Sequence, residues 1–313
     1  MTVSFVVIAY NEERNIERTL RSIVAQEEMP ADYEVVVVND GSQDRTLHIV
    51  AALQKTYPAI TIVDLQPNQG RGAARAAGVA AAKGRYVAFV DADITLPAHW
   101  LKTCRPYLQD YDACGGIAVP DGDVAFVHQL LSLEPKVTAH STTVTGSNGL
   151  FKREVFEKIS FNPKKRNGED VDLGYKIAAA KLRTTTIDGL LVAHIEAKSY
   201  GESLAWLFES GVGATRQFYE HREVRLPDLA FAAFTGVFLV SVLAALFIPG
   251  LWVLSLLAIT GFLSLSSVMH LRGKFNLFQK PIRGIAAVLV NDSLLFAYYC
   301  GRAVGIATEW RKM

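Results

Sequence analysis

Cysteine is scarce: the 313 residues hold three, Cys104, Cys114 and Cys300, with no CxxC spacing and with apolar neighbours. That excludes a disulfide framework and fits reduced side chains in a protein facing the cytosol. A charge excess of either sign is missing too. With 32 Lys and Arg against 31 Asp and Glu the net charge is +1, so nothing marks out a nucleic-acid partner. No GxGxxG follows the first apolar run and no GxxxxGK[ST] occurs, which removes the main support for a dinucleotide-binding dehydrogenase or a P-loop NTPase. Nor is there a basic leader: Met1-Thr2-Val3-Ser4-Phe5 goes directly into strand-like sequence.

What is present is unevenly placed. Hydrophobic residues make up 50% of the chain, and the excess collects after about residue 228. Before that point, short apolar runs at 3–9, 35–38, 60–65 and 86–90 alternate with helical patterns such as Ile16, Leu20, Ile23 and Val24. Four strand–helix units in succession predict an α/β fold with a parallel, doubly wound sheet whose strand tips carry the ligand site. Further on, Pro97 opens a helix through Leu101 and Leu108, 112–119 reads as a strand, Asp121-Gly122-Asp123 as a turn and 142–145 as a short β segment. Asn167-Gly168 suits a helix start, and Asp188-Gly189 predicts a hairpin between strands at 184–187 and 190–193.

The central stretch is Tyr86 to Asp93, where a buried strand delivers Asp91 and Asp93 to its tip. Where the pleat ends, both carboxylates can turn toward one hard divalent cation, which is suited to neutralising a diphosphate. Asp40 can accept hydrogen bonds from a base or ribose edge, Gly70 and Gly72 let backbone amides approach phosphate, and Arg71 and Arg75 offer charge-assisted contacts to a diphosphate. Ser147 and Asn148, between Gly146 and Gly149, permit close approach to a bound ring. Glu169, Asp170 and Asp172 fall on the first turn of a helix, where the dipole keeps a carboxylate ionised; Asp170 is the candidate general base. Each feature also has a plainer reading: a solvated strand end, a helix cap for Asp40, a surface helix residue for Arg75, a core histidine for His194.

Together these motifs resemble the family 2 glycosyltransferases of the GT-A fold over roughly residues 3 to 200. The matching residues are Ala9-Tyr10-Asn11-Glu12, Asn39-Asp40-Gly41-Ser42-Gln43-Asp44, Asn68-Gln69-Gly70, Asp91-Ala92-Asp93, Ser147-Asn148-Gly149, Gly168-Glu169-Asp170 and His194. The resemblance implies a donor site of Ala9, Tyr10, Glu12, Asp40, Gly70, Arg71, Arg75, Asp91, Ala92, Asp93, Ser147 and Asn148. It implies Mn²⁺ or Mg²⁺ held by Asp91, Asp93 and His194, Asp170 as the base, and Glu169 with Asp170 on the acceptor side. Asn39 departs from the acid more usual there, which leaves the base of the UDP- or GDP-sugar open.

The sequence divides into a catalytic domain at 1–200, an amphipathic interface helix and linker at 201–227, and a membrane part at 228–313. Runs near 229–248 and 251–271, joined by Pro249-Gly250, have the length of a bilayer-crossing hairpin; 285–307 is a less pure third span containing Asn291, Asp292 and Arg302. Arg222, Arg225, Arg272, Lys274, Lys280 and Arg283 flank the hairpin, which places the catalytic domain in the cytoplasm by the positive-inside rule. A third crossing sets Arg311 and Lys312 against that rule. The expected activity is inverting, metal-dependent transfer from a nucleotide sugar to a lipid-linked acceptor, polyprenyl phosphate or glycan. A processive polysaccharide synthase is the enzymatic rival, weakened because Gln217-Phe218-Tyr219-Glu220 lacks the Arg-Trp of its QxxRW segment. A non-catalytic sugar-nucleotide-binding membrane subunit is the other.

Overall fold

In the computed structural model the runs of Val and Ile form strands because both faces of each are covered by helices, the usual setting for continuous apolar β sequence. The structure describes residues 2–120, 127, 147–195, 199–222, 224, 226–248, 251–273, 275–278 and 280–310. The expected turn at Asp121, the β segment at 142–145, the Pro249-Gly250 turn, and Gly146, Arg225, Lys274, Arg311 and Lys312 lie outside them.

The first unit is built on an eight-stranded sheet. Its elements are β1 (Val3–Ala9), α1 (Ile16–Val24), β2 (Tyr33–Asp40), α2 (Thr46–Thr56), β3 (Ile60–Leu65), α3 (Arg71–Ala81), β4 (Tyr86–Asp91), β5 (Ile94–Thr95), α4 (Trp100–Tyr107), β6 (Ala113–Pro120), β7 (Gly149–Lys152), α5 (Val155–Lys158), α6 (Glu169–Ala179) and β8 (Thr184–His194). The order is β3-β2-β1-β4-β7-β6-β8-β5. β3, β2, β1 and β4 are parallel as expected, whereas β7 is antiparallel to both neighbours and β5 is antiparallel to β8. The sheet is therefore mixed.

Register fixes what sits at the tips. Ala9 lies beside Asn39, Ile8 beside Asp91, and Asp40 beside Leu65, so the ends of four strands open on one edge. Alternation splits the core. Phe5, Val7, Val35 and Val37 pack with α1 and Trp100 on one face, while Val6, Ile8, Val36 and Phe89 pack with α3 and α6 on the other.

The expected hairpin at Asp188-Gly189 is not formed. β8 runs through as one strand: Thr184 to Thr186 pair with Ala113 to Gly115, and Leu191 to His194 pair with Ile117 to Pro120. Gly189, at φ 78°, lies in a bulge between the two stretches. A long parallel partner on one side keeps both halves in line, so the glycine bends the strand rather than reversing it.

The second unit holds α7 (Tyr200–His221), α8 (Leu226–Phe247), α9 (Leu251–Arg272) and α10 (Pro281–Trp310). Ser199 and Glu202 form a reciprocal capping box that starts α7. Among the described residues, three helices are long and apolar enough to cross a membrane: Leu226–Phe247 (mean hydropathy 2.4), Ser255–Arg272 (1.2) and Pro281–Thr308 (1.3). The polar residues in the last of these meet protein partners. Ser264 and Ser267 donate to Asp292 at 2.6 and 2.5 Å, and Arg302 pairs with Asp228 at 2.5 Å under the ring of Phe231. The segment expected as a separate interface helix and linker groups with these helices, α7 packing along α10 through Gly211, Gly301 and Gly305.

Candidate functional site

The Asp91-Ala92-Asp93 tip is held by its backbone from three sides. The Asp91 N–H donates to the Ser147 carbonyl at 2.9 Å, the hydroxyl of buried Thr19 on α1 donates to the Ala92 carbonyl at 2.7 Å, and the Ile195 N–H donates to the Asp93 carbonyl at 2.9 Å. The side chains of Asp91 and Asp93 are left partly exposed, at 28% and 22%. The short β5–β8 ladder pairs Ile94 with His194 and sets the imidazole Nε2 3.1 Å from Asp93 Oδ2.

Behind this tip lies Arg75, on α3 and 1% exposed. Its Nη2 is 2.9 Å from Asp91 Oδ1 and 3.7 Å from Asp170 Oδ1, and its Nε is 3.3 Å from Glu169 Oε1. Phe89 and Phe161 lie against the guanidinium at 5.7 and 6.0 Å. One planar cation thus ties the strand tip to the first turn of α6, a task that suits the fork geometry of arginine. Burial alone would lower the guanidinium's proton affinity, but Asp91, Asp170 and Glu169 hold it above its ordinary value. Burial pushes the Asp91 carboxyl up to about 6; Arg75 opposes the shift, while Asp93, Asp170 and Glu169 add to it.

α6 begins after Gly168, at φ 71°, with Glu169, Asp170 and Asp172 in its first turn. Their positions separate their roles. Glu169 is 1% exposed and gripped by Arg75, with Arg71 Nε 3.5 Å from its second oxygen. Asp172 is buried between Lys165 and Lys176. Asp170 alone of the three keeps a side chain 31% exposed.

Other predicted residues are taken up by the fold. Asp40 accepts from the Gln69 and Gly70 amides at 2.8 Å and from the Asn68 side chain at 2.9 Å, so its carboxylate organises its own loop. The Gly70 and Gly72 amides, expected to face phosphate, donate to Asp40 and to the Lys165 carbonyl. Asn148 braces β6 through Gly116, and Arg75, expected at the diphosphate, is surrounded by acids. Tyr10 at 47% exposure and the half-exposed Arg71 remain at the open edge, next to buried Ala9. Glu12 bonds Asn15 and, through its amide, Thr46. Sequence reasoning missed Thr19, and nothing in a lone threonine on an amphipathic helix signals a bond to Ala92.

Four carboxylates, Asp91, Asp93, Glu169 and Asp170, meet two guanidiniums here, and the surplus is negative. Carboxylate oxygens and an imidazole are donor types that suit Mn²⁺ or Mg²⁺, and Asp91, Asp93 and His194 are the residues at this tip that could hold it.

Comparison with known proteins gives the family and the fold. The family described as "Glycosyl transferase family 2" matches residues 4–160. An uncharacterized glycosyltransferase of Nostoc sp. is 34% identical over 173 residues, 51% of this chain and 53% of that one. A dolichyl-phosphate beta-glucosyltransferase of Trichomonas vaginalis is 41% identical over 97 residues, 29% of this chain and 30% of its own. The chain thus spans about half the length of the first relative and under a third of the second. Among solved structures, the mannosyltransferase PcManGT from Pyrobaculum calidifontis, in complex with GDP-Man and Mn²⁺, superposes with a TM-score of 0.60 at 21% identity, covering 94% of this chain and 85% of that one. The fold is GT-A, and the chain belongs to glycosyl transferase family 2.

Proposed function

We propose that this protein transfers a sugar from a UDP- or GDP-linked donor to an acceptor carried by a membrane lipid, polyprenyl phosphate or lipid-linked glycan, with inversion at the anomeric carbon. The observation that carries the reading is the junction made by Arg75, which joins the acid tip of β4 to Asp170. Asp91, Asp93 and His194 would hold Mn²⁺ or Mg²⁺, and a cation bound there supplies Lewis acidity to a departing nucleoside diphosphate. Tyr10, Arg71 and Ser147 border the donor at the open edge, with Ala92 buried beneath them.

Asp170 accepts the proton of an acceptor hydroxyl, or orients an acceptor phosphate. Glu169, buried against Arg75, is withheld from attack on the sugar. With Asp170 as the base, and Glu169 held back by Arg75, direct displacement is favoured, hence inversion. The relative named as a dolichyl-phosphate beta-glucosyltransferase and the apolar C-terminal helices support an acceptor fixed to lipid, and the basic residues flanking the hairpin support a cytoplasmic catalytic face. The test is a screen of labelled UDP-, GDP- and TDP-sugars with Mn²⁺ or Mg²⁺ against membrane lipid extract. One donor should yield chloroform-soluble label, and no lipid-borne label from any donor would contradict the proposal.

A further inference from the structure

We infer that α10 does not cross the membrane: it lies with α7 along the interface as a paired ledge, and the chain crosses only as the α8–α9 hairpin. Length and composition make α10 look like a third span, but its partners do not. A helix that followed α8 and α9 across the bilayer would run parallel to α8, its last turns level with Phe247. Arg302 instead pairs with Asp228, in the first turn of α8, about 28 Å from Phe247 along the helix axis. Tyr299 meets Phe231 and Phe234, and Phe296 meets Phe234. Asn291 and Asp292 bond Ser264 and Ser267, toward the end at which α9 leaves the membrane. Both stretches of α10 thus touch the same half of the hairpin, the half where the chain goes in and comes out. A helix lying across the hairpin makes those contacts; a helix running alongside it does not.

α7 gives an independent reason. It runs parallel to α10 with matched steps: Tyr200 bonds Ser293, Gly301 lies on the Phe208 carbonyl, and Thr215 bonds the Arg302 carbonyl beside Gly305. A spanning α10 would carry this partner, about 33 Å long, through the hydrocarbon layer. Yet Glu202, Glu209, Arg216 and Glu220 recur near multiples of 3.6 on the α7 face turned away from α10, and those three glutamates are exposed. On α10, Ile282, Ile285 and Leu289 form an exposed apolar stripe at 62–83% exposure. A charged stripe on one helix and an apolar stripe on its partner suit a pair at headgroup depth, polar side to water and apolar side to acyl chains. With two crossings, Thr308 returns to the side from which the chain entered.

The inference does not depend on the chemistry proposed above, and the test reads topology alone. Asp188→Cys, Ile248→Cys and Thr308→Cys, each in a Cys300→Ala background, are labelled with a membrane-impermeant maleimide in right-side-out and inverted vesicles. Thr308→Cys is expected to react from the same face as Asp188→Cys, with Ile248→Cys reacting from the opposite face. Thr308→Cys reacting from the face of Ile248→Cys overturns the inference.

Discussion

Arg75 shows how a side chain can be conspicuous in sequence and still be misplaced by it. A basic residue one turn after a glycine-rich loop invites a phosphate contact, but the fold directs it inward to Glu169, Asp91 and Asp170. Arg75→Ala removes the buried partner of Glu169, leaving it the half-exposed Arg71 at 3.5 Å, and should cost about 3–5 kcal/mol, read as a lowered denaturation midpoint. Arg75→Lys keeps the charge without the fork, so transfer should fall more than stability does. Asp91→Asn and Asp170→Asn should each lower turnover by roughly 10²–10³-fold, with the protein still folded. Wild-type turnover in both variants would support the silent-subunit alternative instead. The placing of Asp91 and Asp93 at a strand tip was legible because a short apolar run ends at them. Thr19 was not, because a hydroxyl that binds a carbonyl 73 residues away leaves no local pattern.

At the scale of elements, the four parallel strands were readable from periodicity, and the errors fell where a turn signal met a long-range partner. Asp188-Gly189 has hairpin chemistry, yet pairing with β6 on both sides of Gly189 keeps β8 one strand, bent but not reversed. Gly70 illustrates the opposite case, a glycine whose need is visible only in three dimensions. At φ 94° an added Cβ would lie 2.5 Å from Arg166 Cα, so Gly70→Ala should destabilise by about 1–3 kcal/mol and loosen the Asp40 loop. Thr19→Val should cost about 1–3 kcal/mol by leaving the Ala92 carbonyl without its buried donor. Thermal denaturation of the full chain checks both, and an unchanged midpoint would deny these contacts their structural role.

For the molecule as a whole, composition could count apolar helices but not say which of them cross. Carrying Glu202, Glu209, Arg216 and Glu220 through a bilayer would cost roughly 10 kcal/mol at about 2.5–3.5 kcal/mol each, which the α8–α9 hairpin with an interfacial pair avoids. The hairpin alone should keep the protein in the membrane through an alkaline carbonate wash. Such an anchor suits a sheet end that works on what the membrane holds, and in the function proposed above that work would rest on a cation at Asp91, Asp93 and His194. The most direct check is electron paramagnetic resonance of Mn²⁺ titrated into the whole chain with UDP or GDP. The wild type should bind the ion, His194→Ala should weaken binding on the order of 10–100-fold, and Asp91→Asn and Asp93→Asn should abolish it; equal Mn²⁺ binding by all four proteins would contradict the account.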